Sequence, residues 1–473
     1  MTTKGCFING RWLETENRLQ VRSPWSEETV AEVSLAGAAE WEAAIGAAQK
    51  AAKVFRTFSS QERRSLLEKL TAGVSSRREE LAQTIVLEGG KPVTYARGEM
   101  RRGVTTLSLA AEEAARIGGE VLPLDLTAAT KGRWGLTRRF PVGPVLGITP
   151  FNFPFNLAAH KVGPAMAAGN PIILKPPSKT PLTALKLAEI YAEAGLPEGL
   201  LQVLPSTTAL TEKAVADDRF KALSFTGSAA VGWRLKSLAG RKRAILELGG
   251  NAACIVDADA DLAYAAQRSA IGAFAHAGQI CIAVQRLLVH RQVYEPFKAA
   301  FLDTIHREIV AGDPSREETI VGPFIDLDVA ARVRSWVKEA LDSGARMLAG
   351  NLGAGNLMPP VVLEDVHRDM KVWNCEIFGP VATLTPFNDF AEALALANDS
   401  DYGLQAGVFT NNLNHAWLAF ETLEVGGVII NDAPIFRLDH MPYGGAKASG
   451  LGREGLRYAI EELTEQRLLA LKA

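Results

Sequence analysis

Between residues 145 and 248 the chain repeats one pattern: a short apolar run, a turn, a helical stretch and another short apolar run. The runs fall at 145–149, 172–174, 201–204, 222–225 and 244–248, each bounded by Gly, Pro or polar residues. Helical spacing fills the intervals at 156–168, 181–194, 209–216 and 228–239. Apolar runs this short and continuous read as strands buried on both faces. Single helices between them act as crossovers, so the pattern predicts an α/β fold with a parallel sheet covered on both sides. Such sheets take ligands beyond the carboxyl ends of their strands.

The rest of the chain is arranged around that block. Short strands with turn residues (Asn9-Gly10, Ser23-Pro24) occupy 7–35. Helical patterns follow at 38–55, 61–87 and 94–117, with Gly89-Gly90 and Pro92 separating the last two. Residues 120–140 read as a strand-rich excursion. A second alternating block covers roughly 252–440, with apolar runs at 252–256, 286–290, 380–384, 404–409 and 427–431; the tail, 456–473, reads as a helix and then a strand. A length of 473 residues fits two or three domains at about 150 residues each. There is no internal repeat and no low-complexity segment.

Composition narrows the class. The net charge of −2 and the interspersed signs argue against a nucleic-acid or anionic-membrane partner. The four cysteines are scattered, with no Cys-x-x-Cys or His-Glu-x-x-His spacing, so no metal site and no disulfide framework is expected. The N-terminal residues lack a basic-then-apolar signal segment, and no apolar run reaches membrane-spanning length. The expected location is a reducing cytoplasm.

Several stretches have the residue types that chemistry needs. Cys281 follows the small Ala277-Gly278 step, between a helical run ending near Ala277 and a strand beginning at Arg286. A thiol there is a candidate nucleophile and Glu247, at a strand end before Gly249-Gly250, a candidate base. Equally, a free cysteine is an ordinary small apolar filler and Glu247 an ordinary ion-pair partner. Phe225-Thr226-Gly227-Ser228 ends a strand and opens a helix, whose unpaired first amides suit a pyrophosphate; a turn that binds nothing reads the same way. Lys175 ends another strand and is either a ribose ligand or a solvated lysine. Asn152 is a neutral amide donor or a turn asparagine. By itself Glu376 is a loop carboxylate and Phe378 a core aromatic.

Taken together and in order, Pro150-Phe151-Asn152-Phe153-Pro154, Glu247-Leu248-Gly249-Gly250, Gly278-Gln279-Ile280-Cys281 with Arg286 beyond, and Glu376-Ile377-Phe378-Gly379-Pro380 resemble the aldehyde dehydrogenase superfamily over nearly the whole chain. The resemblance implies the aldehyde dehydrogenase fold. It assigns 1–119 and 141–248 to a Rossmann-like NAD(P)-binding domain, 249–440 to an α/β catalytic domain, and 120–140 with 456–473 to a small β-rich oligomerisation arm. It also implies a homo-dimer or homo-tetramer. Cys281 would attack the aldehyde, Asn152 and the Cys281 amide would hold the oxyanion, and Glu247 would activate water on the thioester. Lys175 would hold the adenosine ribose, Gly227 and Ser228 the pyrophosphate, Glu376 the nicotinamide ribose, and Phe378 would support the ring. The family uses Phe-Thr-Gly-Ser where other dinucleotide folds use Gly-x-Gly-x-x-Gly, and this chain does the same. Strongly NAD-selective members have a glutamate at the position of Ser178; Ser178 beside Lys179 would not repel a 2′-phosphate, so NADP is expected to be tolerated beside NAD.

Residues 431–445 resemble the subgroup containing lactaldehyde, phosphonoacetaldehyde and non-phosphorylating glyceraldehyde-3-phosphate dehydrogenases. Arg102 and Arg437 are then candidates to face an anionic or hydroxylated aldehyde, or are surface arginines. Phosphonate-specific relatives have an additional arginine where this chain has Ile280, which argues for a small hydroxyaldehyde instead. The expected reaction is oxidation of a small polar aldehyde to its acid. The alternatives are a coenzyme A-acylating dehydrogenase, disfavoured because such members generally lack Glu247, and a non-catalytic protein reusing the fold.

Overall fold

The computed structural model describes residues 3–472. The predicted parallel sheet forms with nearly the expected strands. Its central five strands run in the order Arg243–Glu247, Ala222–Thr226, Val145–Ile148, Ile172–Lys175 and Leu201–Val203, all parallel. Three antiparallel strands extend it: Gly450–Leu451 beside Arg243–Glu247, and Cys6–Ile8 then Arg11–Leu13 beyond Leu201–Val203. From Val145–Ile148 the chain builds outward in one direction, then returns to add Ala222–Thr226 on the other side. The order therefore reverses between those two strands, and the crevice beyond their carboxyl ends is where such a sheet receives a ligand. Residues 149–152 and 227–228 line that crevice.

The helix Asn156–Ala168 runs behind this edge and is buried at every position. It is sandwiched between the sheet and the helix Val93–Ala114, so most of it is small and apolar, and its three polar side chains, Asn156, His160 and Lys161, are buried with hydrogen-bond partners. Its amino end is closed from outside: Glu99 Oε1 accepts the backbone N–H groups of Phe155 (2.9 Å) and Asn156 (3.0 Å). Glu99 is also ion-paired with the buried Lys91.

The second sheet has seven strands in the order Arg346–Ala349, Val361–Glu364, Val381–Phe387, Val284–His290, Ala252–Val256, Gln405–Phe409 and Gly427–Ile430. All are parallel except the first. The sequence reading lacked Arg346–Ala349 and Val361–Glu364. Only four residues, 248–251, join the last parallel strand of the first sheet to the first strand of the second. So short a link turns the carboxyl edge of one sheet toward the amino edge of the other. The loops preceding Ala252, Val284 and Val381 thus face the crevice of the first sheet.

A third, antiparallel sheet joins Val121–Pro123, Arg133–Pro141 and Thr464–Lys472, with Thr464 opposite Pro141 and Lys472 opposite Arg133. The segment 456–473 divides in two. The helix Leu456–Glu462 buries Leu456 and Ile460 in the core beside Asn156–Ala168, and only the strand after it joins the third sheet. Among the described residues no helix is long and apolar enough to cross a membrane, and the four cysteines are free.

Candidate active site

The two facing edges enclose a cavity of about 990 Å³, and its wall includes Cys281, Asn152, Glu247, Gly227, Glu376 and Arg102. Ser228, Phe378 and Arg437 also line it; Lys175 and Ser178 do not.

Backbone geometry does much to set Cys281, which also packs against Ile280, Ile282, Leu404 and Tyr443. The helix Leu262–Phe274 stops three residues before the expected end at Ala277, because His276 (φ 51°), Ala277 (φ 55°) and Gly278 (φ 65°) are all left-handed. A Cβ on Gly278 would lie 2.2 Å from the Gly379 carbonyl oxygen, and one on Gly250 would lie 2.1 Å from the carbonyl oxygen of Cys281. These glycines let the strand-entry loops of the second sheet pack backbone against backbone behind Cys281. Gln279 ties the loop down, accepting from the Ile325 N–H (3.0 Å) and donating to Pro323 O (3.2 Å). Cys281 is half-buried, with Sγ 3.1 Å from the hydroxyl of Tyr443. Burial pushes its thiol up to about 11, against the pull of the Tyr443 hydrogen bond and Arg437.

Asn152 stands beyond the strand Val145–Ile148 and donates one Nδ2–H to Gln279 O at 2.8 Å, two residues before Cys281. The amide nitrogen has a second N–H to offer. Glu247 ends its strand buried, with both carboxylate oxygens unpartnered. Burial, reinforced by Glu454, raises its pKa well above the usual carboxylate range, while Arg437 and Lys161 oppose the shift. Behind it Lys161 is fully enclosed, donating to Thr226 Oγ1 (2.8 Å), Ser224 Oγ (3.2 Å) and Glu454 (3.3 Å). Sequence reasoning missed Lys161 and Glu454. They are 293 positions apart, and no spacing rule links residues at that distance. Tyr443 was also missed, although it sits before Gly444-Gly445 in the stretch singled out for its resemblance.

On the dinucleotide side, the helix Ala229–Ala239 begins at Ser228 with no side-chain cap. Its first amides are therefore left to a ligand, and its positive end suits a pyrophosphate. Glu376 accepts the Gly250 N–H at 3.0 Å, and burial raises its pKa to about 7. A Cβ on Gly249 would lie 2.4 Å from Glu376 Oε2, so a larger residue there would displace this carboxylate. Phe378 has a left-handed backbone (φ 52°) and meets Phe151 edge-on, ring centres 5.9 Å apart. Lys175 is half-buried at its strand end, has no side-chain partner among the described residues, and is lowered by burial to about 8. Unpaired Lys175 and the uncapped helix fit a dinucleotide. Ser178 is exposed, and Lys179 beside it is not a free cation: it pairs with Asp326 at 3.0 Å.

Neither of the candidate substrate arginines, Arg102 and Arg437, is free. Arg102 makes a two-pronged pair with Asp439 (3.2 and 2.7 Å). Asp439 also binds His160 (2.9 Å) and Asn156 (3.1 Å); burial would raise its pKa, but His160 and Arg102 outweigh that and hold it far below the carboxylate range. The guanidinium of Arg437 pairs with Glu454 (3.1 Å) and lies 3.5 Å over the ring centre of Tyr443.

The model of the aldehyde dehydrogenase family matches residues 12–469. The chain belongs to the aldehyde dehydrogenase family. Among aldehyde dehydrogenases it is 44% identical over 468 residues to 3-sulfolactaldehyde dehydrogenase of Priestia aryabhattai, covering 99% of this chain and 98% of that one. Its structure superposes with a TM-score of 0.97 on an aldehyde dehydrogenase of Physcomitrella patens solved with the reaction product succinate, at 42% identity and covering 100% and 98% of the two chains. It superposes at 0.96 on the NADP-dependent glyceraldehyde-3-phosphate dehydrogenase of Bacillus halodurans C-125 in complex with NADP, at 34% identity over the whole of both chains. The aldehyde dehydrogenase fold expected from the motifs is borne out, and with it an NAD(P)-dependent oxidation of aldehydes.

Proposed function

We propose that this aldehyde dehydrogenase oxidises a small polar aldehyde, a hydroxyaldehyde or semialdehyde with an anionic or hydroxylated far end, to its free acid. The observation supporting this is that the Cys281 sulfur, the Asn152 amide and the unpartnered Glu247 carboxylate line one cavity with the Gly227 turn. Cys281 as thiolate attacks the carbonyl carbon, forming a thiohemiacetal whose oxyanion is held by the free Asn152 N–H and the Cys281 amide. Bound NAD(P) supplies the hydride acceptor. Lys175 and Ser178 are assigned to its adenosine ribose, Gly227 and Ser228 to its pyrophosphate, and Glu376 and Phe378 to its nicotinamide half. Glu247 takes a proton from the water that attacks the thioester, the carbon–sulfur bond breaks, and the thiolate is restored.

Arg102 and Arg437 are assigned to the polar end of the substrate. Because each is already paired with a carboxylate, they orient that end as dipolar pairs and not as bare cations. NADP is tolerated beside NAD, since no carboxylate stands at Ser178. The three sheets are assigned as cofactor-binding unit, catalytic unit and oligomerisation arm of a homo-dimer or homo-tetramer in a reducing cytoplasm.

The test is a pair of variants. Cys281→Ala should abolish NAD(P)H formation from every aldehyde. Glu247→Gln should leave a rapid burst near one equivalent and slow the steady state about 10²- to 10⁴-fold. A Glu247→Gln enzyme turning over at the parent rate would remove the base assignment. A panel of lactaldehyde, glycolaldehyde, glyceraldehyde-3-phosphate, succinate semialdehyde and aliphatic aldehydes identifies the substrate; the polar members should exceed the aliphatic ones in kcat/KM.

A further inference from the structure

The Tyr443 hydroxyl, 3.1 Å from the Cys281 sulfur, has no part in the roles assigned above. Tyr443 is buried and firmly held. Its backbone exchanges two hydrogen bonds with Glu454, at 3.0 and 2.7 Å. Its ring is covered by the Arg437 guanidinium at 3.5 Å, Arg437 is anchored by Glu454, and Glu454 by Lys161. Backbone clamp and stacked cation together fix where the phenol oxygen can be.

In the resting thiol either group can donate to the other. Once the sulfur is ionised, only the phenol has a proton to give. The charged groups facing Cys281 are Arg437, Glu376 and Glu247; the carboxylates oppose ionisation of the sulfur and Arg437 favours it. A thiol is intrinsically the stronger acid of the two, and the hydrogen bond between them lowers the thiol's pKa and raises the phenol's, so the sulfur ionises first and the phenol stays the donor.

We propose that Tyr443 is a further catalytic residue, its hydroxyl donating a hydrogen bond to the Cys281 thiolate, and that Arg437 is the positioning residue that holds its ring. The bond acts wherever the sulfur bears charge. In the attack, a sulfur lone pair forms the carbon–sulfur bond as the carbonyl π pair moves to oxygen. In hydrolysis, water bonds to the acyl carbon, Glu247 takes the proton, and the carbon–sulfur pair returns to the sulfur, where the phenol again meets it. The Tyr443 proton is not transferred. The proposal rests on Cys281 being the nucleophile.

Tyr443→Phe removes the hydroxyl and keeps the ring. Alkylation of Cys281 by iodoacetamide between pH 7 and 10, with the labelled peptide mapped to exclude Cys375, reads the thiolate without any turnover. The window lies below the thiol's pKa of about 11, so the effect is read as a displacement of the rate at each pH; loss of one charge-assisted hydrogen bond should raise that pKa by about one unit. The thiolate fraction below the pKa then falls ~10-fold while the more basic sulfur gains ~3-fold in nucleophilicity, so alkylation at pH 7.5 should slow ~3-fold. 3-Fluorotyrosine placed at 443 keeps ring and hydroxyl but donates more strongly, and should move the profile down. It also decides the matter if the phenylalanine variant does not fold.

Parent-like profiles in the variants that fold would overturn the proposal, as would a fluorotyrosine profile shifted upward, the mark of disturbed packing alone. These outcomes are separable from failure of the parent reading. An active Cys281→Ala enzyme removes the nucleophile and this proposal together. An inert one beside an unshifted fluorotyrosine profile removes only the role of Tyr443.

Discussion

Glu247 shows most clearly how environment sets chemistry at the residue scale. A carboxylate with both oxygens buried and unpartnered is costly to ionise, so its proton affinity rises. A base with a raised pKa is competent above that pKa and lost as pH falls through it. The acyl-hydrolysis rate should therefore have an acidic limb displaced well above the ordinary carboxylate range, and Glu247→Gln should flatten that limb while lowering the whole profile; stopped-flow deacylation across pH checks both. Cofactor choice turns on another single position. Ser178→Glu would add a negative charge where a 2′-phosphate is expected, and Lys179, held by Asp326, is poorly placed to offset it. We expect NADP kcat/KM to fall at least tenfold relative to NAD. A parent enzyme already more than 100-fold selective for NAD would defeat the underlying reading. Cys281, Glu247 and Asn152 were legible in the sequence because each sits in a short motif at a strand end. Lys161, Glu454 and Tyr443 were not, because what matters about them is contact between distant parts of the chain.

At the scale of elements, the parallel strands were readable because strands buried on both faces leave continuous apolar runs. Arg346–Ala349 escaped for the opposite reason, being a half-exposed antiparallel edge; Val361–Glu364, buried throughout and bounded by Pro359-Pro360, carried the same signal as the strands that were read and was overlooked. The overlong helix at 262–277 has its own cause. Ala277 is a good helix former, but Gly278 must approach the Gly379 carbonyl, and tertiary contact overrides local preference. Gly278→Ala should accordingly misplace the nucleophile loop, since its Cβ meets backbone and its φ is left-handed; kcat should fall at least tenfold with NADP binding preserved, read by fluorescence titration. The Lys91–Glu99 pair supports the opposite wall. Glu99→Ala strands a buried ammonium and uncaps Asn156–Ala168, so denaturant unfolding should show a loss of about 3–5 kcal/mol.

At the scale of the whole molecule, the decisive arrangement is one sheet's carboxyl edge facing another's amino edge across the four-residue link 248–251. The separation of the two large sheets was traceable from where the alternation starts and stops, but the facing of their edges was not: the short 248–251 link imposes it only once the strand ends on either side are fixed. The third sheet gives a separate test. Removing 464–473 would leave Arg133–Pro141 without its long partner, opening a strand edge beside Trp134 and Leu136, which are already exposed. Light scattering should then report a smaller assembly or aggregation, and an unchanged oligomer would remove the arm assignment.

The antiparallel strand Gly450–Leu451 lies against the strand that ends in Glu247, and Arg437, Tyr443 and Glu454 all come from the same late stretch. A ribosome therefore delivers the thiol long before it delivers the groups that tune it. A nascent chain stalled near residue 430 would have Cys281 and most of the cavity wall but not Ile435, Arg437 or Tyr443, so the two groups that pull the thiol's pKa down reach it only after the burial that pushes it up is largely in place.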